Sequence, residues 1–563
     1  MNPPPQIPVI SALRLPRYAP FLLCWNPRDH VIFAGRFARF HDNAGMMEPF
    51  RRLLAAFAVL LCVSTLATAE DAPPRDGDHK QASETSSGPG VLALLPADAI
   101  TQHTLDLGDR KLAYTATAGT LNLFDQSGKR SAAVFYTSYV AKDEPKDQTS
   151  DPSKGRAANR PLTFVFNGGP GAASAFLHLG LVGPKILDFG PTERDGANAR
   201  LIDNPQSWLA FTDLVLIDPI GTGWSRTAKA DDAKNFYGVK QDAQSIAKSI
   251  ALYLAHSGRA ASSIYLLGES YGGLRAAKVA GALSDEQGVV VSGIVMLSPL
   301  IDGPLTFGAN RYALGAALQL PSLAAAELER RNAFSVKDVR AAEQFALTDY
   351  LTTLAGPPPS GAAAQTFYSR VAEMTGLPVD VIKKSRGFVR DAYVKHLRGS
   401  DGAIVSRYDV TLAAPDPYPE SDAAHGDDPV LDGFVRAYGG AFVNYARNDL
   451  GFKTEMTYVL LADGVNGKWD WGKGGRAQAS ASDDIRQLLA TEPSFRLMIA
   501  HGYSDLVTPY ASNKYVVDHL PDSLAGRVTF KVYRGGHMLY TRAASRAAFT
   551  ADAKTFYTGQ AKD

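Results

Sequence analysis

Gly268-Glu269-Ser270-Tyr271-Gly272 follows the apolar run Ile264–Leu267 and leads into a helix-forming stretch from Leu274. The spacing is G-x-S-x-G, in which a sharp strand-to-helix turn pushes the serine hydroxyl outward and small neighbours let backbones pass closely. A serine hydroxyl is a weak nucleophile until a base takes its proton. A histidine and an acid that orients it are therefore required elsewhere in the chain. Such strings also arise by chance in long chains, so the strand before and the helix after carry much of the argument.

Two later segments answer that requirement. Arg496–Ala500 reads as a strand and ends in His501-Gly502-Tyr503-Ser504-Asp505, and Val528–Tyr533 ends in Arg534-Gly535-Gly536-His537. Ser270 as nucleophile, Asp505 as orienting acid and His537 as base then follow the chain order serine, acid, histidine, each in a loop at the end of a strand. His501 competes for the base, while His178, His256, His396 and His425 are scattered; Asp463 and Asp470 compete for the acid. Position selects His537 and Asp505. Nearer the start, Leu162–Phe166 stops at Asn167-Gly168-Gly169-Pro170-Gly171. A glycine-rich turn after an early strand supplies a backbone N–H to a tetrahedral oxyanion, and the residue after the nucleophile supplies another. Gly169 and Tyr271 are the expected donors. Alone, the same string is an ordinary turn.

The elements that must hold these residues are legible too. Gln102–Leu107, Leu112–Phe124 and Ala132–Val140 show partial alternation typical of strands. Leu162–Phe166, Leu214–Ile217, Ile264–Leu267 and Ile294–Leu297 are short apolar runs suited to central strands. Residues 238–256 between them have helical spacing. Strand, helix, strand in succession predicts a mostly parallel sheet flanked by helices. With the order of Ser270, Asp505 and His537, this is the α/β class and the α/β-hydrolase fold. Residues 142–160 read as an exposed loop. The core is expected over 101–304 and 476–563, with a closing helix at 543–558. Between the two parts, 305–475 is Ala-rich and reads as a large, mainly helical insertion, broken at Gly356–Gly361 and at the Pro-rich stretch 415–429.

Four motifs carry a resemblance to the serine carboxypeptidase family. Asn167-Gly168-Gly169-Pro170-Gly171 is similar to its oxyanion loop and Asn204-Pro205-Gln206-Ser207-Trp208 to its Asn-Pro-x-Ser-Trp. Asp218-Pro219-Ile220-Gly221-Thr222-Gly223-Trp224-Ser225 and Gly268-Glu269-Ser270-Tyr271 resemble two more, in the family's order. The insertion adds a faint likeness at Arg407-Tyr408-Asp409. The resemblance implies release of C-terminal residues from peptides through an acyl-enzyme, with Asn167 and Glu269 hydrogen-bonding the substrate's free carboxylate. Two carboxyl groups share a site only with a proton between them. The sequence departs from the pattern at Leu181, which aligns with a second glutamate, at Ala172 for a cysteine, at Gly272 for an alanine, and in lacking a residue between Asp218 and Pro219. These departures suggest a bacterial branch. An esterase or acyltransferase on the same triad, and a non-catalytic binding protein on the same scaffold, are the rival readings.

The bulk properties fit. The 563 residues are 45 % hydrophobic and 20 % charged, with a net charge of +1 and no basic tract or acidic tail, so neither nucleic acid nor an anionic membrane is an expected partner. Met46 to Arg52, the apolar run Leu53–Val63 and Ala67-Thr68-Ala69 have the three parts of a secretory signal peptide over 46–69. A buried helix is the alternative, and Leu61 argues against a lipoprotein site at Cys62. Residues 1–45 are expected to be a non-native upstream extension, and 70–100 a flexible lead-in to an exported, periplasmic or secreted chain with no stable membrane span. Both cysteines, Cys24 and Cys62, precede residue 70, so the mature chain offers neither disulfide nor thiolate chemistry. No HExxH or nucleotide loop is present, and no metal or organic cofactor is expected.

Overall fold

The computed structural model describes residues 90–142, 160–190 and 199–559. The expected signal peptide at 46–69, the expected extension 1–45, most of the expected lead-in and the expected loop at 143–159 lie outside the described residues. Three antiparallel strands open the fold: β1 (Ala99–Asp106), β2 (Lys111–Phe124) and β3 (Arg130–Ala141). β4 (Leu162–Phe166) is followed by a small hairpin, β5 (Lys185–Asp188) and β6 (Arg200–Asp203). Then come β7 (Asp213–Ile217), the two-residue β8 (Arg226–Thr227), β9 (Ile264–Glu269) and β10 (Gly293–Leu297). Among the described residues β11 (Ala403–Val405) pairs only with β12 (Ala413–Pro415), and β13 (Arg496–Gly502) and β14 (Val528–Tyr533) end the series.

The main sheet has the order β1-β2-β3-β7-β4-β9-β10-β13-β14, with β8 beside β3. From β7 to β14 every pairing is parallel. β4, β7 and β10 are buried along their whole length, because helices cover both faces, and this is why they read as unbroken apolar runs. The order of strands and the helices between them make this the expected α/β-hydrolase fold. The chain steps from β4 to β7 on one side, then returns to lay β9 on the other. A cleft opens at such a reversal, outside the carboxyl ends of the strands. Asn167 follows β4 there and Ser270 follows β9.

The region after β10 is mainly helical, as expected, with the β11–β12 hairpin inside it. Its packing divides it. Residues from Ala316 to Val410 build an apolar cluster of their own, joined by Leu506. The helix Pro429–Asn448 instead puts Phe434, Tyr438, Phe442 and Tyr445 into the cluster that covers one face of the sheet. Among the described residues no helix is long and apolar enough to cross a membrane.

Candidate active site

Ser270 takes a left-handed φ of 62° with ψ −127° between β9 and the helix Tyr271–Ala282. A side chain seldom adopts that backbone, and it persists only where surroundings enforce it. Ser270 N donates to Leu297 O at 3.0 Å, while Ser270 O accepts from Leu300 N and Gly273 N, both at 2.9 Å. The small residues are required by contact. A Cβ on Gly268 would sit 1.9 Å from Gly272 O, and one on Gly168 would sit 2.6 Å from both Tyr271 N and Glu269 O. The glycine-rich loop after β4 is therefore pressed backbone to backbone against the elbow.

Asp505 and His537 meet at the ends of β13 and β14. His537 Nδ1 lies 2.9 Å from Asp505 Oδ2, and both side chains are buried. Asp505 Oδ1 accepts the amides of Val507 and Thr508 at 2.7 and 3.1 Å, which fixes the carboxylate in a turn. Burial opposes charge on the His537 imidazole, but Asp505 beside it, with Glu269 further off, raises its pKa above the usual histidine value. The competitors are elsewhere. His501 is buried against Phe530 and beside Asn513, and burial pushes its pKa down to about 3. Asp463 borders the cleft, but Asp505 holds the histidine.

Asn167, Gly169, Glu269, Ser270 and His537 all line one cleft of about 580 Å³. Glu269 is buried behind Ser270. Asn167 donates its amide to Glu269 Oε2, and Tyr540 Oη lies 3.2 and 3.1 Å from the two carboxylate oxygens. Burial pushes the Glu269 pKa up to about 7, against the opposing effects of His537, Tyr540 and Asn167. Residues 122–315 match the family model of the serine carboxypeptidases. Over that segment the chain is similar to the serine carboxypeptidase family, and it is a serine hydrolase. Of the residues expected at the site, Asn167, Gly169, Glu269, Ser270 and Tyr271 fall within the matched segment; Asp505 and His537 lie beyond it. No curated protein matches the chain. Among solved structures it is similar to VinJ, at 15 % identity over 79 % of this chain and 99 % of that one, with a TM-score of 0.35. It is similar also to a proline iminopeptidase from Mycobacterium smegmatis, at 16 % identity over 82 % and 98 % and a TM-score of 0.33. A thermostable carboxyl esterase from Bacillus coagulans gives 12 % identity over 78 % and 98 % and a TM-score of 0.34.

Two of the family-like motifs brace the site rather than line it. Asn204 Nδ2 donates to the carbonyls of Leu181 and Gly183, each at 2.9 Å, and Ser207 Oγ to that of Val182 at 2.8 Å. Asp218 Oδ1 accepts Ser174 N at 2.8 Å and Ser174 Oγ at 2.7 Å, behind the glycine-rich loop. Leu181, where the family pattern has a second glutamate, is fully buried in the apolar cluster.

Sequence reasoning missed several partners of these residues. Tyr540, three residues after His537, gave no signal, since a lone tyrosine in a loop is common. Thr508 Oγ1 stands 2.9 Å from Asp505 Oδ2 and 2.8 Å from Ser298 O, while Ser298 Oγ donates to His537 O at 2.8 Å. The largest omission is the hold of residues 407–409 on the loops that carry Asp505 and His537. His537 N donates to Tyr408 O at 2.5 Å and Leu506 N to Arg407 O at 3.1 Å. Asp409 takes Ser504 Oγ at 2.8 Å and Arg542 Nη2 at 3.0 Å. The Tyr408 ring stands edge-on to the His537 imidazole at 5.3 Å. The faint likeness at Arg407-Tyr408-Asp409 was the available sign.

Proposed function

We propose that the protein is a serine carboxypeptidase that removes C-terminal residues from peptides through an acyl-enzyme. Ser270 attacks the scissile carbonyl. His537, with Nδ1 committed to Asp505, takes the serine proton at Nε2 and passes it to the leaving amine. The N–H groups of Gly169 and Tyr271 receive the oxyanion. Glu269 and Asn167 receive the substrate's terminal carboxylate. The observation that carries this reading is Glu269 itself: a buried carboxyl beside the nucleophile, titrating near 7 and bonded by Asn167 and Tyr540. In its protonated form it can donate to a second carboxylate without like-charge repulsion. A simple ester without a free carboxylate would make no such contact.

Mass analysis of products from free and C-terminally amidated peptides tests the reading. Stepwise loss of single residues from free peptides alone supports it; cleavage of simple esters with no peptide product favours the esterase. Ser270→Ala should lower turnover by a factor on the order of 10⁴–10⁶ while leaving the circular dichroism spectrum unchanged. We also propose export of the chain, with cleavage after Ala69. Sequencing of secreted protein should then begin at Glu70, and a mature form that keeps Cys62 would contradict it.

A further inference from the structure

Buried cations in this fold are given carboxylates. Arg259 meets Asp213 at 2.7 Å, Arg275 meets Asp242 at 2.6 Å and Lys395 meets Asp416 at 2.5 Å. Unpaired buried charge is costly, so the pairing is expected. The catalytic cleft breaks the pattern, because Arg390, Arg407 and Arg476 all line it. Among the described residues, the half-buried Arg407 guanidinium has no ion pair and no hydrogen-bond acceptor. Arg390 pairs at 3.2 Å with Asp391, a side chain 64 % exposed, and its Nε is buried with no acceptor. Burial lowers the Arg390 pKa and the neighbouring Arg407 charge lowers it further, with Asp391 opposing. Arg476 rests 4.5 Å over the Phe307 ring and has no carboxylate partner among the described residues.

Aspartates 427, 428, 432 and 463 border the same cleft. Asp428 is occupied by the amides of Arg407, Val430 and Leu431 and by Ser406. Asp432 stands 3.8 Å from Arg436. None of the four is ion-paired with Arg407. The arginines also have a fixed place relative to the chemistry. Arg390 Nη2 donates to Leu506 O at 3.2 Å, and Arg407 O accepts Leu506 N at 3.1 Å, one residue from Asp505.

We infer that Arg407, with Arg390 beside it, is a specificity site that binds an acidic side chain of the substrate near the bond that is cleaved. An incoming carboxylate would supply the acceptor that the fold omits, and guanidinium and carboxylate match in shape as well as charge. The inference rests on the carboxypeptidase reading for its substrate class, and the test separates the two. Peptides with a free C-terminus carry Glu or Gln at each of the last three positions. In parallel, the p-nitrophenyl monoester of adipic acid is compared with that of adipamic acid. A preference for Glu of about ten- to a hundredfold in kcat/KM is expected at one position, the range set by a charge-assisted hydrogen bond. Arg407→Lys should retain it. Arg407→Glu should abolish it or turn it towards Lys-containing peptides. Should that variant not fold, the wild-type preference must still fade as salt rises. Equal rates for Glu and Gln at every position, together with equal rates for the two esters, overturn the inference. So does a preference that survives in folded Arg407→Glu. Hydrolysis of the esters alone, with adipate preferred, would overturn the peptidase reading and keep the arginine site.

Discussion

Glu269 concentrates the chemistry at the scale of the residue. Desolvation holds it protonated up to about pH 7, and it lies close enough to His537 for each charge to affect the other. The sign of the pH effect follows. On the proposed reading, below about 7 Glu269 keeps its proton and can meet a substrate carboxylate, whereas above it two like charges would face each other and binding would weaken. His537 must be neutral to act as base, and its raised pKa moves the acid limb above the ordinary histidine value. Free peptides should therefore give a narrow bell near neutrality in kcat/KM, whereas esters without a carboxylate should show only the acid limb. Glu269→Gln should remove the alkaline limb for peptides. It should leave the acid limb nearly in place for both substrates, because Glu269 is already neutral below about 7. Four pH profiles check this, and one alkaline limb common to all four would remove Glu269 from carboxylate recognition.

At the scale of the element, the site is built where backbones are held in unusual positions. Ser270 is kept at positive φ by its own hydrogen bonds and by the glycine loop pressed against it. The His537 loop is held from outside the core by residues 406–410, which bond to Ser504, Leu506, His537 and Arg542. Asp409 is central to that clasp. Asp409→Ala should lower kcat by roughly ten- to a hundredfold, the cost of a small misplacement of a reacting group, with KM close to wild type. The pH of the acid limb should move as well, since the imidazole no longer rests squarely on Asp505. Steady-state kinetics across pH distinguish this from simple loss of folded protein.

The insertion acts on the site from two sides of the whole molecule. Residues 406–410 clasp the acid and base, and residues 460–466 strap the glycine loop: Ala173 N donates to Leu460 O, Ala462 N to Gly171 O, and Asn466 Nδ2 to Pro170 O. Segments on both sides of the helical region thus contact the loops of the cleft. Arg275 ties the opposite side. Fully buried, it pairs with Asp242, donates to Asn167 O and lies 5.0 Å over the Tyr271 ring. Arg275→Met removes one partner of a buried pair and leaves Asp242 without its cation. It should destabilise the protein by about 3–5 kcal/mol in urea unfolding, and activity should fall with it, because the same guanidinium positions the Asn167 loop.

The sequence alone determined the sheet, the elbow and the order of Ser270, Asp505 and His537. Each is written locally: apolar runs of strand length, glycines where backbones must approach, and polar loops after strands. The buried strands β4, β7, β9 and β10 were legible because both of their faces are covered. Asn167 and Glu269 were marked by motif, but the sequence did not show that Glu269 is dry, and dryness is what lifts its pKa. Tyr540, Thr508, Ser298 and the clasp at Arg407-Tyr408-Asp409 were not legible as partners. Their roles depend on contacts between segments far apart in the chain, which have no local periodicity or spacing. The same holds for the arginines of the cleft. A lone arginine in a helical insertion reads as a solvated charge, and only the tertiary structure places three of them around one cavity and leaves Arg407 without a counter-ion among the described residues.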